Sequence, residues 1–179
     1  MQQMDLTPHP ANPPAGDWQV RFSWQPTEHW LTLRWRVSGV GALAIPPLAG
    51  RGRADGLWEA TCFELFVQHG EGPAYAEFNL SPSERWAGYD FTGYRAGMRQ
   101  RKLPRAPVCS WRAGSAFSLF DAAIPLGGLP ELPAAFGASA VIEETDGTKS
   151  YWALTHASDK PDFHDPACFT ARLAAPLPP

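Results

Sequence analysis

Polar and apolar residues alternate along most of this chain with a period of two, the spacing that gives an extended strand one greasy and one wet face. The run DWQVRFSW puts Trp18, Val20, Phe22 and Trp24 on one side. HWLTLRWRV puts Leu31, Leu33, Trp35 and Val37 on one side and Trp30, Thr32, Arg34 and Arg36 on the other. LWEATCFELFV sends Phe63, Leu65 and Val67 one way, and Trp58, Cys62, Glu64 and Phe66 the other. In YAEFNL, Ala76, Phe78 and Leu80 oppose Tyr75, Glu77 and Asn79. Further strands are predicted at RWAGYDF, PVCSW, AFSLFDAAI, ASAVIEET, SYWALTH and CFTARL. Asp146-Gly147 marks a hairpin between two of them, because glycine accepts the positive φ of a tight turn. The one helical candidate, IPLGGLPEL from Ile124 to Leu132, is cut short by its glycines and prolines.

About ten strands with frequent turn signals and no crossover helices predict an all-β fold: an antiparallel β-sandwich, jelly-roll-like, with at most one short helix. The nineteen prolines and sixteen glycines agree with many turns and few helices. Residues 1–16 are polar and proline-rich and read as a flexible arm, and 174–179 as a flexible tail, leaving residues 17–173 as one domain.

The formal net charge of −3 gives no general attraction to nucleic acid or to an anionic membrane, so neither is expected as a partner. The basic run Met98–Arg105 reads as a solvated loop, or as a local anion contact. No stretch is long and apolar enough to cross a bilayer as a helix. Three widely spaced cysteines, Cys62, Cys109 and Cys168, without a CxxC pair suggest free thiols, no thiolate zinc site and a reducing, cytoplasmic setting. The start of the chain lacks the basic and apolar segments of a secretory signal. No oligomeric state is specified by these patterns.

The chemistry is carried by the polar side of the central strands. If the apolar positions share the core, then Arg34, Arg36, Glu64, Tyr75, Glu77 and Asn79 share the outer face of one sheet. One reading is a ladder of cross-strand ion pairs, each contributing about 0.2–1 kcal/mol. The other is a concave binding face, on which aromatic rings cover the apolar sides of a sugar and polar groups bond its hydroxyls. Glu64 and Glu77 also invite comparison with a glycosidase pair, which needs carboxylates about 5–10 Å apart. Neighbouring arginines would lower their pKa values, the wrong direction for a general acid. The segment HASDKPDFHDP gathers His156, Asp159, Asp162, His164 and Asp165; His156, Asp162 and His164 are the metal-ligand candidates, although the spacing fits no known metal loop. No nucleophile elbow or phosphate-cradling glycine loop occurs.

Two long segments, RADGLWEATCFELFVQ and YAEFNLSPSERWAGYDFTGYRAGM, resemble the DOMON-like domains, which are related to family 9 carbohydrate-binding modules. AFSLFDAAIPLGGL and the closing SYWALTHASDKPDFHDPACFTARL extend the resemblance over roughly residues 17–173, toward a bacterial group of this length. The resemblance implies a jelly-roll-like sandwich and a non-catalytic module for a small, carbohydrate-like ligand, with no cofactor. Sugar-binding relatives hold the ligand with a pair of tryptophans, and Trp58 and Trp86 stand nearest the matching motifs. The ligand-binding set is then Arg34, Arg36, Trp58, Glu64, Tyr75, Glu77, Asn79 and Trp86. The alternatives are a hydrolase or isomerase using the paired carboxylates or the His/Asp segment, and a haem-binding domain. Haem-binding relatives use a methionine and a histidine, for which Met98 and either His156 or His164 are available.

Overall fold

The structure is a computed structural model that describes residues 1–175. Its regular elements are strands apart from three single 3-10 turns, at Leu57–Glu59, Leu126–Gly128 and Pro166–Cys168. The strands are β1 (Gln2–Pro8), β2 (Asp17–Pro26), β3 (Trp30–Val40), β4 (Gly52–Arg53), β5 (Cys62–Gln68), β6 (Tyr75–Leu80) and β7 (Arg85–Phe91). They continue as β8 (Arg99–Gln100), β9 (Val108–Arg112), β10 (Phe117–Pro125), β11 (Ala134–Glu143), β12 (Lys149–Ala153) and β13 (Ala171–Leu173).

One layer runs β1-β2-β3-β10-β9. The other runs β4-β7-β6-β5-β11-β12, with β8 added to β7 and β13 to β11. Every pairing is antiparallel except the two-residue contact of β4 with β7. The layers meet along one seam, where Thr7 and Pro8 of β1 lie opposite Ala153 and Trp152 of β12. The all-β sandwich predicted from the alternation is therefore the fold.

The parity of the central strands holds. Leu31, Leu33, Trp35 and Val37 from one layer face Phe63, Leu65, Val67, Phe78 and Leu80 from the other in one buried cluster. Phe63 stacks on Phe120 at 4.3 Å between ring centres, and Trp35 tilts against both. Each such side chain contributes about 1.5–3 kcal/mol by leaving water. The hairpin at Asp146-Gly147 is present: Gly147 has φ +89°, and Asp146 Oδ1 accepts from Thr148 N at 2.9 Å. The helical candidate at Ile124–Leu132 reduces to the 3-10 turn at Leu126–Gly128.

Residues 2–8 depart from the flexible-arm expectation, since they form β1 against β2 from Gln2↔Trp24 to Leu6↔Val20. Only Leu6 of that strand is buried, so backbone pairing, which leaves no apolar stripe in the sequence, holds it. His9 just beyond is buried, with Nε2 2.9 Å from the Ser158 carbonyl oxygen. The basic run is mostly exposed, as expected of a solvated loop, but it is tied down at two points. Arg99 and Gln100 form β8, and Arg101 pairs with Asp90 and donates to the Gly128 carbonyl at 2.7 Å. All three cysteines are buried and unpaired. Of the expected tail, residues 176–179 lie outside the described residues.

Candidate functional site

The outer face of the second layer is read row by row from the strand register. Ser139, Glu64 and Asn79 lie side by side on β11, β5 and β6. In the next row Phe66, Glu77 and Tyr89 follow across β5, β6 and β7. Tyr75 and Phe91 face each other one row further, with stacked rings 4.8 Å apart. Glu64 and Glu77 thus point to the same side and sit diagonally on adjacent strands.

Two loops rise over this face and turn it into a concavity. The first follows β7. Its tip, Thr92–Ala96, closes by a backbone bond, Arg95 takes φ +50°, and Gly97 takes φ +66° hard against Thr92. The second is the His156–Pro166 segment. Asp162 clamps them together by accepting from Arg95 Nη2 at 2.8 Å and from the Tyr94 hydroxyl. Asp162 Oδ1 also accepts from His164 N, which orients the histidine. The Tyr75 hydroxyl accepts from Arg95 N at 3.2 Å and lies 2.7 Å from His164 Nδ1. The simplest proton arrangement has Tyr75 donating to Nδ1, so that the ring proton sits on Nε2, 3.8 Å from Glu77 Oε2.

The resulting cavity has a volume of about 390 Å³, within the ordinary range of small-ligand sites. Glu64, Glu77 and His164 supply its polar groups together with Arg95. Trp58, Phe91, Tyr151, Phe163 and Met98 supply its apolar walls. Trp58 stands on the 3-10 turn at Leu57–Glu59, 41% exposed and edge-on to Tyr89. A larger concavity of about 560 Å³ lies on the other layer, between β1, β2 and β3. There Arg21 is already paired with Asp5 at 2.6 Å, and no buried acid converges on it.

Electrostatics single out the smaller cavity. Glu64 is 3% exposed and Glu77 5%. Glu64 Oε2 accepts from Ser139 Oγ at 3.1 Å, and Glu77 Oε1 accepts from Asn79 Nδ2 at 2.8 Å. Burial raises both acids far above the usual carboxylate range, Glu64 to about 8 and Glu77 to about 7, with the Glu77 charge adding to the rise of Glu64. Burial and the nearby Arg95 charge push His164 down to about 4, so the imidazole is neutral.

This corrects the arginine-paired reading. Arg34 and Arg36 belong to β3, in the other layer, and do not share a sheet face with Glu64 and Glu77. Arg34 pairs with Asp121 at 2.6 Å, and Arg36 lies over the Phe117 ring at 4.2 Å. Alternation decides which face of its strand a residue takes, but not which sheet the strand joins. The expected lowering of the carboxylate pKa values is reversed for the same reason. Trp86 is also displaced: on β7 it is Ala87, Tyr89 and Phe91 that face outward, so Trp86 packs into the central core opposite Leu80. Tyr75 and Asn79 lie on the expected face but are fully buried, one holding His164 and the other Glu77. The structure therefore brings Trp58, Glu64 and Glu77 together at the cavity, with Tyr75 and Asn79 behind them.

The metal candidates separate. His156 Nε2 lies 2.8 Å from the Thr7 carbonyl oxygen and its ring packs on His9, while Asp162 and His164 serve the clamp. Among the described residues no group of three or more His, Cys, Asp or Glu side chains could hold a metal ion. Met98 and His164 do border one cavity, whereas His156 does not. Both nitrogens of His164 face protein groups, Tyr75 and Glu77. Arg95, Phe91, Tyr151 and Phe163 had gone unremarked in the sequence. The signal for Arg95 was its place in TGYRAG, between two glycines that permit a tight loop.

No family model matches the chain, and no curated protein matches it. Solved structures do. A Bacteroides uniformis protein assigned provisionally to carbohydrate binding superposes with a TM-score of 0.69 at 15% identity, covering 94% of this chain and 84% of that one. A family 9 carbohydrate-binding module from Caldicellulosiruptor kristjanssonii, in complex with glucose, gives 0.55 at 9% identity, over 83% and 73%. The same kind of module in complex with cellotriose gives 0.52 at 10%, over 83% and 71%. At these identities the likeness establishes a shared fold.

Proposed function

We propose that this protein is a non-catalytic module of the DOMON-like kind that binds a carbohydrate in the cavity above β5 and β6. One observation carries the reading: two buried acids with free oxygens lie at the base of an open, aromatic-walled concavity. Hydroxyls of a sugar can donate to the free oxygens of Glu64 and Glu77, while Trp58 covers an apolar ring face. The fold shared with modules crystallised with glucose and cellotriose supports it. Titration calorimetry with glucose and cellotriose, backed by a glycan array, tests it. Saturable binding that Trp58→Ala weakens is expected; absence of binding to every sugar removes the proposal.

The raised pKa values of Glu64 and Glu77 favour one second reading, a glycoside hydrolase, because a general acid must hold its proton near neutral pH. Release of nitrophenol from aryl glycosides, abolished by Glu64→Gln, would establish it.

A further inference from the structure

We propose that this cavity selects a sugar bearing a primary ammonium, an unacetylated 2-amino sugar, over its neutral counterparts; the inference rests on reading the site as sugar-binding.

Each of the two acids has one oxygen bonded to a neutral donor, Ser139 Oγ for Glu64 and Asn79 Nδ2 for Glu77. Among the described residues the second oxygen of each has no hydrogen-bond donor. Among the described residues the only basic side chain within 4 Å of either is His164, 3.8 Å from Glu77 and neutral. Arg95 borders the same cavity and its charge partly offsets the rise of both acids, but its guanidinium is paired with Asp162 at 2.8 Å and lies beyond 4 Å of either. Tyr75, Tyr89 and Cys62, further titratable side chains on this face, are held neutral chiefly by burial. Two acids are thus buried on one face without a paired cation, so they keep their protons near neutral pH and ionise readily only where a positive charge arrives from outside.

An ammonium fits that vacancy better than a hydroxyl does. It brings three donors and a full charge to two acceptor oxygens on neighbouring strands. The walls suit it as well, since Trp58, Tyr151 and the phenylalanines line the cavity with aromatic rings, whose faces attract a cation. A neutral sugar can hydrogen-bond to the same oxygens but adds no charge attraction to them. Binding of the cation favours the ionised acids, so the protons they hold at neutral pH leave as it enters.

The test is calorimetry of the full chain at pH 6.5 with 2-amino-2-deoxyglucose, its N-acetyl derivative and glucose. The amino sugar is expected to bind at least about ten-fold more tightly than either neutral sugar. Its enthalpy should differ between buffers of different ionisation heat, showing proton release. Glu64→Gln/Glu77→Gln should bring the three affinities to within about two-fold and abolish the buffer dependence. If the double variant does not fold, Glu64→Gln alone serves, and an undiminished preference in it overturns the inference. Equal or tighter binding of glucose in the natural protein also overturns it while leaving the carbohydrate-binding proposal intact. Binding of none of the three sugars removes both.

Discussion

Replacing Glu64 by glutamine should make the fold less sensitive to pH, and more stable above neutrality. The side chain is buried, and its carboxyl titrates near 8 in the folded protein against 4.5 when unperturbed. Glu77 follows, near 7. Between pH 6.5 and 8 the unfolded chain has given up both protons, while the folded chain keeps part of each, more of the Glu64 proton than of the Glu77 one. The native state binds more protons, so its stability falls as pH rises. The slope is about 1.4 kcal/mol per pH unit for each proton retained. Averaged over partial titration of the two acids, the loss across the window is about 2 kcal/mol, more than half of it from Glu64. His164 acts in the opposite sense, because its folded pKa is lowered to about 4, but that effect is largely complete by the lower edge of the window and is common to both proteins. The glutamine keeps the shape and can still pair with Ser139. Urea unfolding followed by tryptophan fluorescence at four pH values, natural protein beside Glu64→Gln, reads the effect directly. The two stability curves should diverge by about 1–2 kcal/mol from pH 6.5 to 8, equivalent to roughly 2–8 °C in Tm. Parallel curves would refute the reasoning, since they would mean that Glu64 is ionised and solvated in the fold.

Trp58→Ala should weaken sugar binding about ten-fold in calorimetry and shift Tm little, because the ring is 41% exposed and outside the core. Asp162→Asn should loosen the clamp, lowering sugar affinity several-fold and stability by about 1–2 kcal/mol, readable in the same two assays. Phe120→Ala, which empties a fully buried stack on Phe63, should cost about 3–5 kcal/mol in urea unfolding. Arg34→Gln, on the opposite layer, should leave sugar affinity unchanged; a clear loss would place the ligand elsewhere.

The all-β class was legible because side chains of two kinds alternate along the long strands, as Phe63, Leu65 and Val67 do with Cys62, Glu64 and Phe66, even though β5 and β6 are buried on both faces. The two acids and their amide were legible for the same reason. What the alternation could not convey was which strands become neighbours. Arg36 and Glu64 each obey parity within their own strand, yet tertiary pairing sends β3 to β10 and β5 to β11. Trp86 shows a second limit. A seven-residue strand bearing Arg85, Tyr89 and Asp90 on alternating sides offers two plausible faces, and neighbouring Leu80 decides between them. The clamp was out of reach altogether. Arg95 and Asp162 are 67 positions apart, on loops whose approach depends on the sheet beneath them.

The β1–β12 seam constrains how the molecule can assemble. β1 precedes the other described strands in the chain, but the partner that ties it to the second layer is separated from it by about 145 positions, as the Thr7↔Ala153 pairing shows. Until β12 exists, β1 can only zip onto β2, and its other margin stays open to any extended segment nearby. Joining of the two layers at this seam is therefore a late event in biosynthesis, and a nascent chain stalled before residue 149 would display an unsatisfied strand margin ready to recruit a neighbour.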